Sequence, residues 1–122
     1  MTALLLDHFY KIDTLESTDG GLTAQVTFDA AHPIFQGHFP DMPVVPGVCE
    51  TQMVGEVLSK ALGTDLVLKT AATIKFLSVV DPIKTPKINM ILTYTKTENT
   101  YAVSAQYKWE ETVFFKLKGT YA

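Results

Sequence analysis

Two stretches of alternating apolar and polar residues, one on each side of a single helical stretch, constrain the fold of this chain most strongly. Residues 22–28 carry Leu, Ala, Val and Phe at every second position, and residues 101–109 carry Tyr, Val, Ala, Tyr and Trp in the same way. A period of two is typical of a strand with one buried face. We therefore predict that strands form most of the fold.

Four further strands are expected from composition and turn signals, at residues 9–18, 66–77, 87–96 and 113–121. Asp19-Gly20-Gly21 is a hairpin turn signal, and Glu98-Asn99 and Glu110-Glu111 fall between the later strands. Consecutive strands joined by short turns favour an antiparallel sheet.

One helix is predicted between the two groups of strands. Pro46 suits the first helical position, apolar residues follow at helical spacing to Leu62, and Gly63 is a stop signal, so the helix has about 15 residues. This helix must cover one face of the sheet. The prediction is an α+β fold in one domain, residues 1–122, with an antiparallel sheet wrapped around one central helix and with edge strands that favour a dimer.

Composition narrows the class of protein. The chain has 122 residues, of which 47% are hydrophobic, so it can bury a core. Its net charge is −3 and all 10 positive charges are lysines, which argues against nucleic-acid binding. No apolar run has the roughly 18 residues of a membrane span, and we expect a cytoplasmic protein. The only cysteine, Cys49, is expected in the core rather than as a nucleophile, and no metal motif is present.

The loop at residues 30–45 contains three prolines, and we predict neither strand nor helix in it. It carries His38, for which a structural or solvated role competes with a catalytic one. The helix that follows begins with free backbone N–H groups. Because Gly47 has no side chain, a ligand oxygen could approach these N–H groups closely. Two interpretations remain open for this helix start: a site that polarises a ligand carbonyl, or an ordinary helix start without a ligand.

The segment Gln36-Gly37-His38-Phe39-Pro40, continued by Pro43-Val44 and by Pro46-Gly47-Val48, resembles the signature of the 3-hydroxyacyl-acyl carrier protein dehydratases. Residues 33–35 and 74–82 fit as well, so the resemblance covers roughly residues 31–82. It implies a hotdog fold, a dimer or higher oligomer, no cofactor, and an acyl chain held in a tunnel at the dimer interface. The implied reaction is dehydration of a 3-hydroxyacyl thioester to the trans-2-enoyl thioester.

The same resemblance implies roles for individual residues. His38 matches the catalytic base, and Gly47 matches the amide that contacts the thioester carbonyl. Val48 is a second candidate amide, and Phe39 and Pro46 are expected beside the substrate.

The family has Glu or Asp fourteen positions after the histidine, where this chain has Gln52. A glutamine amide cannot deliver a proton. Three interpretations remain open: His38 performs both proton transfers while Gln52 orients the hydroxyl or a water, another carboxylate substitutes, or the subunit is inactive alone.

Two carboxylates are candidates for that substitution. Glu56 lies four residues after Gln52 on the same helix face, and its alternative is an ion pair with Lys60 on a solvated flank. Glu50 lies about 200° away on the helix and is expected to complement the helix dipole.

Partners and rival functions follow from the same features. The substrate is expected on acyl carrier protein or coenzyme A, with an acidic carrier requiring a local lysine patch. A hotdog acyl thioesterase that uses Glu56, and a catalytically impaired subunit that pairs with a second hotdog chain, remain alternatives. Aromatic strand residues such as Phe76 and Tyr107 are expected first in the core or dimer interface, and second as tunnel lining.

Overall fold

A computed structural model describes residues 4–37 and 43–122 of the chain. The described elements are β1 Tyr10–Thr18, β2 Gly21–Phe28, α1 Pro33–Gly37, α2 Gly47–Leu62, β3 Leu68–Phe76, β4 Lys87–Thr97, β5 Thr100–Trp109 and β6 Thr112–Tyr121. None of the helices in this part of the chain is long and apolar enough to cross a membrane.

The strands form one six-stranded sheet in the order β1-β2-β4-β5-β6-β3, and every neighbouring pair is antiparallel. The segment that contains α1 and α2 therefore connects β2, near one edge, to β3 at the other edge. The predicted antiparallel sheet with one main helix is confirmed.

The three predicted hairpin turns are also confirmed. Thr18 pairs with Gly21, Thr97 with Thr100 and Trp109 with Thr112, so each turn has two residues. Gly20, Glu98 and Glu110 adopt positive φ angles of 77°, 53° and 55° in these turns. Glu98 and Glu110 are the first residues of their turns, and a positive φ at that position matches the twist of the flanking strands, whereas in Asp19-Gly20 the positive φ is at the second residue.

Buried residues of α2 face the sheet and form the core with alternating strand residues. The predicted alternation is observed in β2, where Leu22, Ala24, Val26 and Phe28 are buried, and in β5, where Val103, Ala105 and Tyr107 are buried. The buried helix residues are Cys49, Glu50, Met53, Val54, Glu56, Val57 and Leu58. Their spacing produces one buried stripe, which determines the rotation of α2 about its axis.

Two local predictions are wrong. The proline-rich loop contains a short helix, α1, which begins at Pro33 because proline is tolerated in a first helical turn. The Ile34 N–H of that turn donates to His32 Nδ1 over 3.1 Å. Pro46 is the N-cap of α2 rather than its first helical residue, since its ψ angle of 143° is extended and the helix begins at Gly47.

A substitution at Gly21 would test how closely β2 approaches β4. A Cβ atom at Gly21 would lie 2.2 Å from the carbonyl oxygen of Leu92, which is backbone and cannot rotate away. We expect Gly21→Ala to lower the free energy of unfolding by about 1–3 kcal/mol in urea titration. The matched control is Gly55→Ala in α2, where the nearest atom would be 3.5 Å away. That control should gain up to about 1 kcal/mol from helix propensity, and equal effects of the two changes would contradict the packing at Gly21.

Candidate active site

The first turn of α2 begins without a side-chain cap among the described residues. Pro46 at the N-cap is extended, with φ −63° and ψ 143°. The amides of Gly47 and Val48 have no helix carbonyl one turn earlier to which they could donate, and they carry the positive end of the helix dipole. The Val48 side chain is 75% exposed. This helix end can therefore stabilise negative charge on a carbonyl oxygen that approaches from outside the described chain.

An aromatic ring lies beside the Gly47 backbone. A Cβ atom at Gly47 would be 2.6 Å from the ring of Phe76, so a larger residue here would displace that ring. The ring centroid of Phe76 is 5.5 Å from that of the buried Phe115, yet Phe76 itself is 59% exposed. The exposed ring of Phe76 from β3 thus lies beside the start of α2. The sequence suggested core, interface or tunnel lining for Phe76, but not this contact with Gly47.

His38 and Phe39 lie outside the described residues. Both flanks of their segment are attached to the core. Phe35 stacks on Phe9 with ring centroids 5.0 Å apart, and the N–H of Val45 donates to the carbonyl of Val80 over 2.8 Å. The catalytic role of His38 and the substrate-binding role of Phe39 remain predictions.

Gln52 and Glu56 are brought together on one face of α2, as their spacing predicts. The Nε2 amide of Gln52 donates to Glu56 Oε2 over 2.8 Å. Gln52 is half-buried, whereas Glu56 is only 9% exposed.

Three further donors converge on Glu56. The backbone N–H of Leu5 donates to Oε2 over 2.7 Å, while the N–H of Leu6 (3.0 Å) and the hydroxyl of Tyr10 (2.9 Å) donate to Oε1. With Gln52, each carboxylate oxygen accepts two hydrogen bonds, and an ionised carboxylate has about four such positions. The solvated flank with an ion pair to Lys60 is therefore wrong, because the Glu56 carboxylate points to the N-terminal segment and β1.

Glu50 is also not in the environment that the sequence suggested. It lies away from Gln52 as predicted, but it faces the core and is 4% exposed. Burial raises the pKa of its carboxyl group from 4.5 to about 8. Its Oε2 has no hydrogen-bond partner among the described residues. The expected dipole-complementing charge is therefore wrong, since a carboxyl group with this pKa is mostly neutral at pH 7.

A signal for this burial exists in the sequence. Glu50 precedes Met53, Val54 and Val57 by three, four and seven residues, which is the spacing of one helix face. The position of Glu50 in the first turn suggested an interaction with the helix dipole. Its side chain instead points to the core, because Glu50 lies on the buried face of α2.

Three buried tyrosines lie beneath or beside α2 and were not predicted as polar partners. Tyr107 donates its hydroxyl to the Glu50 carbonyl over 2.5 Å, and Tyr10 donates to Glu56. The Tyr121 hydroxyl has no partner among the described residues. Burial raises the pKa of all three phenols, that of Tyr121 to about 12, so each stays protonated at neutral pH.

Other titratable residues have structural surroundings. Cys49 is buried, and burial raises the pKa of its thiol, so the predicted core role is confirmed. His32 accepts the Ile34 N–H and packs edge-on against Phe9 at 5.3 Å. Within residues 4–37 and 43–122, no three His, Cys, Asp or Glu side chains form a group that could hold a metal ion.

Comparison with known protein families shows to which family the chain belongs. Residues 14–114 match the ApeI dehydratase (ApeI-like) family. The chain belongs to this family. A 3-hydroxyacyl-acyl carrier protein dehydratase of Rickettsia rickettsii (strain Sheila Smith) is 33% identical over 97 residues, which are 73% of this chain and 64% of that protein. The match thus spans less than two thirds of the relative's length.

Solved structures confirm the hotdog fold predicted for this ApeI-like chain. A chain of the dehydratase heterocomplex ApeI:P from Xenorhabdus doucetiae superposes with a TM-score of 0.70 at 18% identity, covering 91% of this chain and 96% of that one. A putative thioesterase from Ralstonia eutropha superposes with a TM-score of 0.62 at 14% identity, covering 88% of this chain and 82% of that one. At these identities, the likeness concerns the fold.

The Glu50 carboxyl group should make stability depend on pH. Its pKa is higher in the folded chain than the usual 4.5, so the stability linked to its proton is full below about pH 4.5 and is lost as pH rises through 8. Glu50→Gln should therefore raise the free energy of unfolding, by about 3 kcal/mol at pH 7 and by less at pH 5.

Urea titrations at pH 5, 6, 7 and 8 measure this effect. Glu16→Gln on the exposed part of β1 is the matched control and should follow the wild type. If Glu50→Gln changed stability by the same amount at every pH, the proton on Glu50 would not be responsible.

Proposed function

We propose that this chain dehydrates a 3-hydroxyacyl thioester to the trans-2-enoyl thioester in fatty-acid or related specialised acyl-chain synthesis. The observation that carries the proposal is the start of α2, which no described side chain caps and where Gly47 lies beside the ring of Phe76, on the helix that also bears Gln52. Membership of a dehydratase family supports the reaction. We place the protein in the cytoplasm, where acyl carrier protein and coenzyme A thioesters are used.

The reaction can be written with His38 as the only group that gains and loses a proton. Its imidazole takes the proton from C2, and the electron pair moves toward the thioester oxygen, where the Gly47 amide, assisted by Val48, stabilises the charge. The C3–O bond then breaks as the C2–C3 double bond forms, and the imidazolium gives its proton to the departing oxygen, which leaves as water. Gln52 orients the hydroxyl without proton transfer, because an amide is not an acid. No cofactor enters this scheme.

The exposed edge of the sheet supports assembly with a second hotdog chain. β3 is an edge strand, and exposed apolar side chains follow it and the next segment: Ile74, Phe76, Leu77, Val79 and Ile83. Pairing along this edge would cover them and would satisfy the unpaired backbone groups of β3. We propose a homodimer or a higher hotdog oligomer, with a heteromer as the variant suggested by the ApeI:P heterocomplex.

The substrate carrier is proposed to be acyl carrier protein, with coenzyme A as the other candidate. The Rickettsia relative is named for a carrier-bound substrate. Lys75 lies directly opposite Lys116 in the β3–β6 pair, and Lys118 follows on the same face of β6. Like charges in such positions repel each other, and an acidic carrier would relieve this repulsion.

A catalytically impaired subunit is the second candidate, and Gln52 is the observation that favours it. Without a carboxylic acid at this position, the chain would contribute tunnel wall and helix amides to a partner that supplies the acid. A thioesterase that uses Glu56 has less support, because the four hydrogen bonds to that carboxylate occupy the positions with which it would activate water.

His38→Ala tests the proposed enzyme. We expect hydration or dehydration of 3-hydroxyacyl and enoyl thioesters to fall by about 10²–10⁴-fold, because the proton transfers lose their group. The exposed His8→Ala is the matched control and should keep wild-type activity. A folded wild type with no activity on any acyl thioester, alone or with a second hotdog chain, would sink the enzyme proposal, and thiol release in its place would indicate hydrolysis.

A further inference from the structure

A single side chain of α2, Glu56, accepts hydrogen bonds from the segment before β1. We call residues 4–8 the N-terminal strap. The Leu5 amide donates to Glu56 Oε2 over 2.7 Å, and the Leu6 amide donates to Glu56 Oε1 over 3.0 Å. About fifty positions separate these amides from Glu56 in the sequence, so the two bonds join distant parts of the chain. Among the described hydrogen bonds, these two attach the strap to the helix.

The strap buries little apolar surface and contains a strained residue. Leu5 and Leu6 pack against the core but are only half-buried, while Leu4 is 64% exposed. Asp7 is exposed and has a φ angle of 67°, a left-handed conformation that is strained for a residue with a Cβ atom. The bonds to Glu56 must therefore offset both this strain and the loss of chain freedom in the closed strap.

Glu56 can hold the strap only because both of its oxygens are acceptors. Oε2 accepts from Leu5 and from Gln52, and Oε1 accepts from Leu6 and from Tyr10. An amide side chain in its place would have one acceptor oxygen and one NH₂ group, so one pair of donors would face another donor. Because Glu56 is 9% exposed, water cannot readily supply the missing acceptor. One carboxylate thus decides whether both strap amides are satisfied.

We propose that the N-terminal strap is a conformational device that closes over Glu56 and opens as a local unit, while the sheet stays folded. In the open state, water replaces the Leu5 and Leu6 amides at the carboxylate. The strap therefore controls whether this face of α2 presents a buried acceptor or a solvated negative charge. The inference goes beyond the proposed function, since it holds whether or not the chain is a dehydratase.

The opening has a structural limit at Phe9. Its ring is fully buried, stacks on Phe35 at 5.0 Å and meets Phe28 edge-on at 5.8 Å. The Phe9 carbonyl accepts the Asp29 N–H over 2.9 Å, and the next residue, Tyr10, pairs with Phe28 in the sheet. None of these contacts involves the strap, so they remain when the strap leaves Glu56.

Amide hydrogen exchange of the full chain, followed by NMR at increasing urea below the unfolding transition, tests the proposal without any substrate. We expect the Leu5 and Leu6 amides to be protected, and to exchange at a rate that urea hardly changes, because a local opening exposes little surface. Buried-strand amides of β2 and β5 should instead exchange faster as urea is added. Strap amides that exchange as fast as unprotected ones, or with the urea dependence of the sheet, would overturn the proposal.

The variant Glu56→Gln tests the role of the carboxylate. We expect exchange of the Leu5 and Leu6 amides to become about 10–100-fold faster, because one pair of donors loses its acceptor. The matched control is Glu16→Gln, the same chemical change at an exposed position of β1, which should keep wild-type exchange in the strap. A folded Glu56→Gln with wild-type exchange at both amides, or an equal acceleration in Glu16→Gln, would contradict the role of Glu56. If Glu56→Gln does not fold, the urea dependence in the wild type still decides whether the strap opens as a local unit.

Discussion

A single helix covers the buried face of a six-stranded sheet, and the rest of the structure depends on this constraint. The helix can present only one stripe of side chains to the core, so its rotation is set by the buried residues that recur every three or four positions. Gln52 is thereby half-buried, Val48 is exposed, and Gly47 at the helix start lies beside Phe76 of β3. The position of the candidate site is thus a consequence of how the core is packed.

The same constraint places acidic groups in the interior. Two carboxylic acids of α2 are buried, and the surroundings treat them differently. Glu56 accepts four hydrogen bonds and joins the N-terminal segment, β1 and Gln52. Glu50 has an oxygen without a described partner, and burial raises its pKa so that the neutral form dominates at pH 7. A satisfied buried charge stabilises geometry, whereas an unsatisfied one favours the proton, since desolvation penalises only the ionised form.

The residue types at positions 52 and 56 are where this chain differs from the family that it resembles. The family places a carboxylate fourteen residues after its histidine, and here the carboxylate lies one helical turn later with an amide in its place. The two side chains are hydrogen-bonded in this order, because the Gln52 amide donates and the Glu56 carboxylate accepts. The edge strand β3 adds a second requirement, since its exposed apolar residues and Phe76 border the helix start and would be covered by another chain.

The sequence by itself determined the strands, the three hairpin turns and the extent of the main helix, because periodicity and turn chemistry are local properties of the chain. It also indicated that Gln52 and Glu56 share a helix face. Only the tertiary structure decided which polar groups from distant segments meet the buried groups of α2. The N-terminal segment folds back onto Glu56 from about fifty positions away, and Tyr107 reaches the Glu50 carbonyl from β5. For Glu50, the spacing to Met53, Val54 and Val57 did signal a buried helix face, and the dipole interaction expected from its first-turn position was wrong. No local pattern encodes the donors from the N-terminal segment, which is why the solvated flank expected for Glu56 was wrong as well.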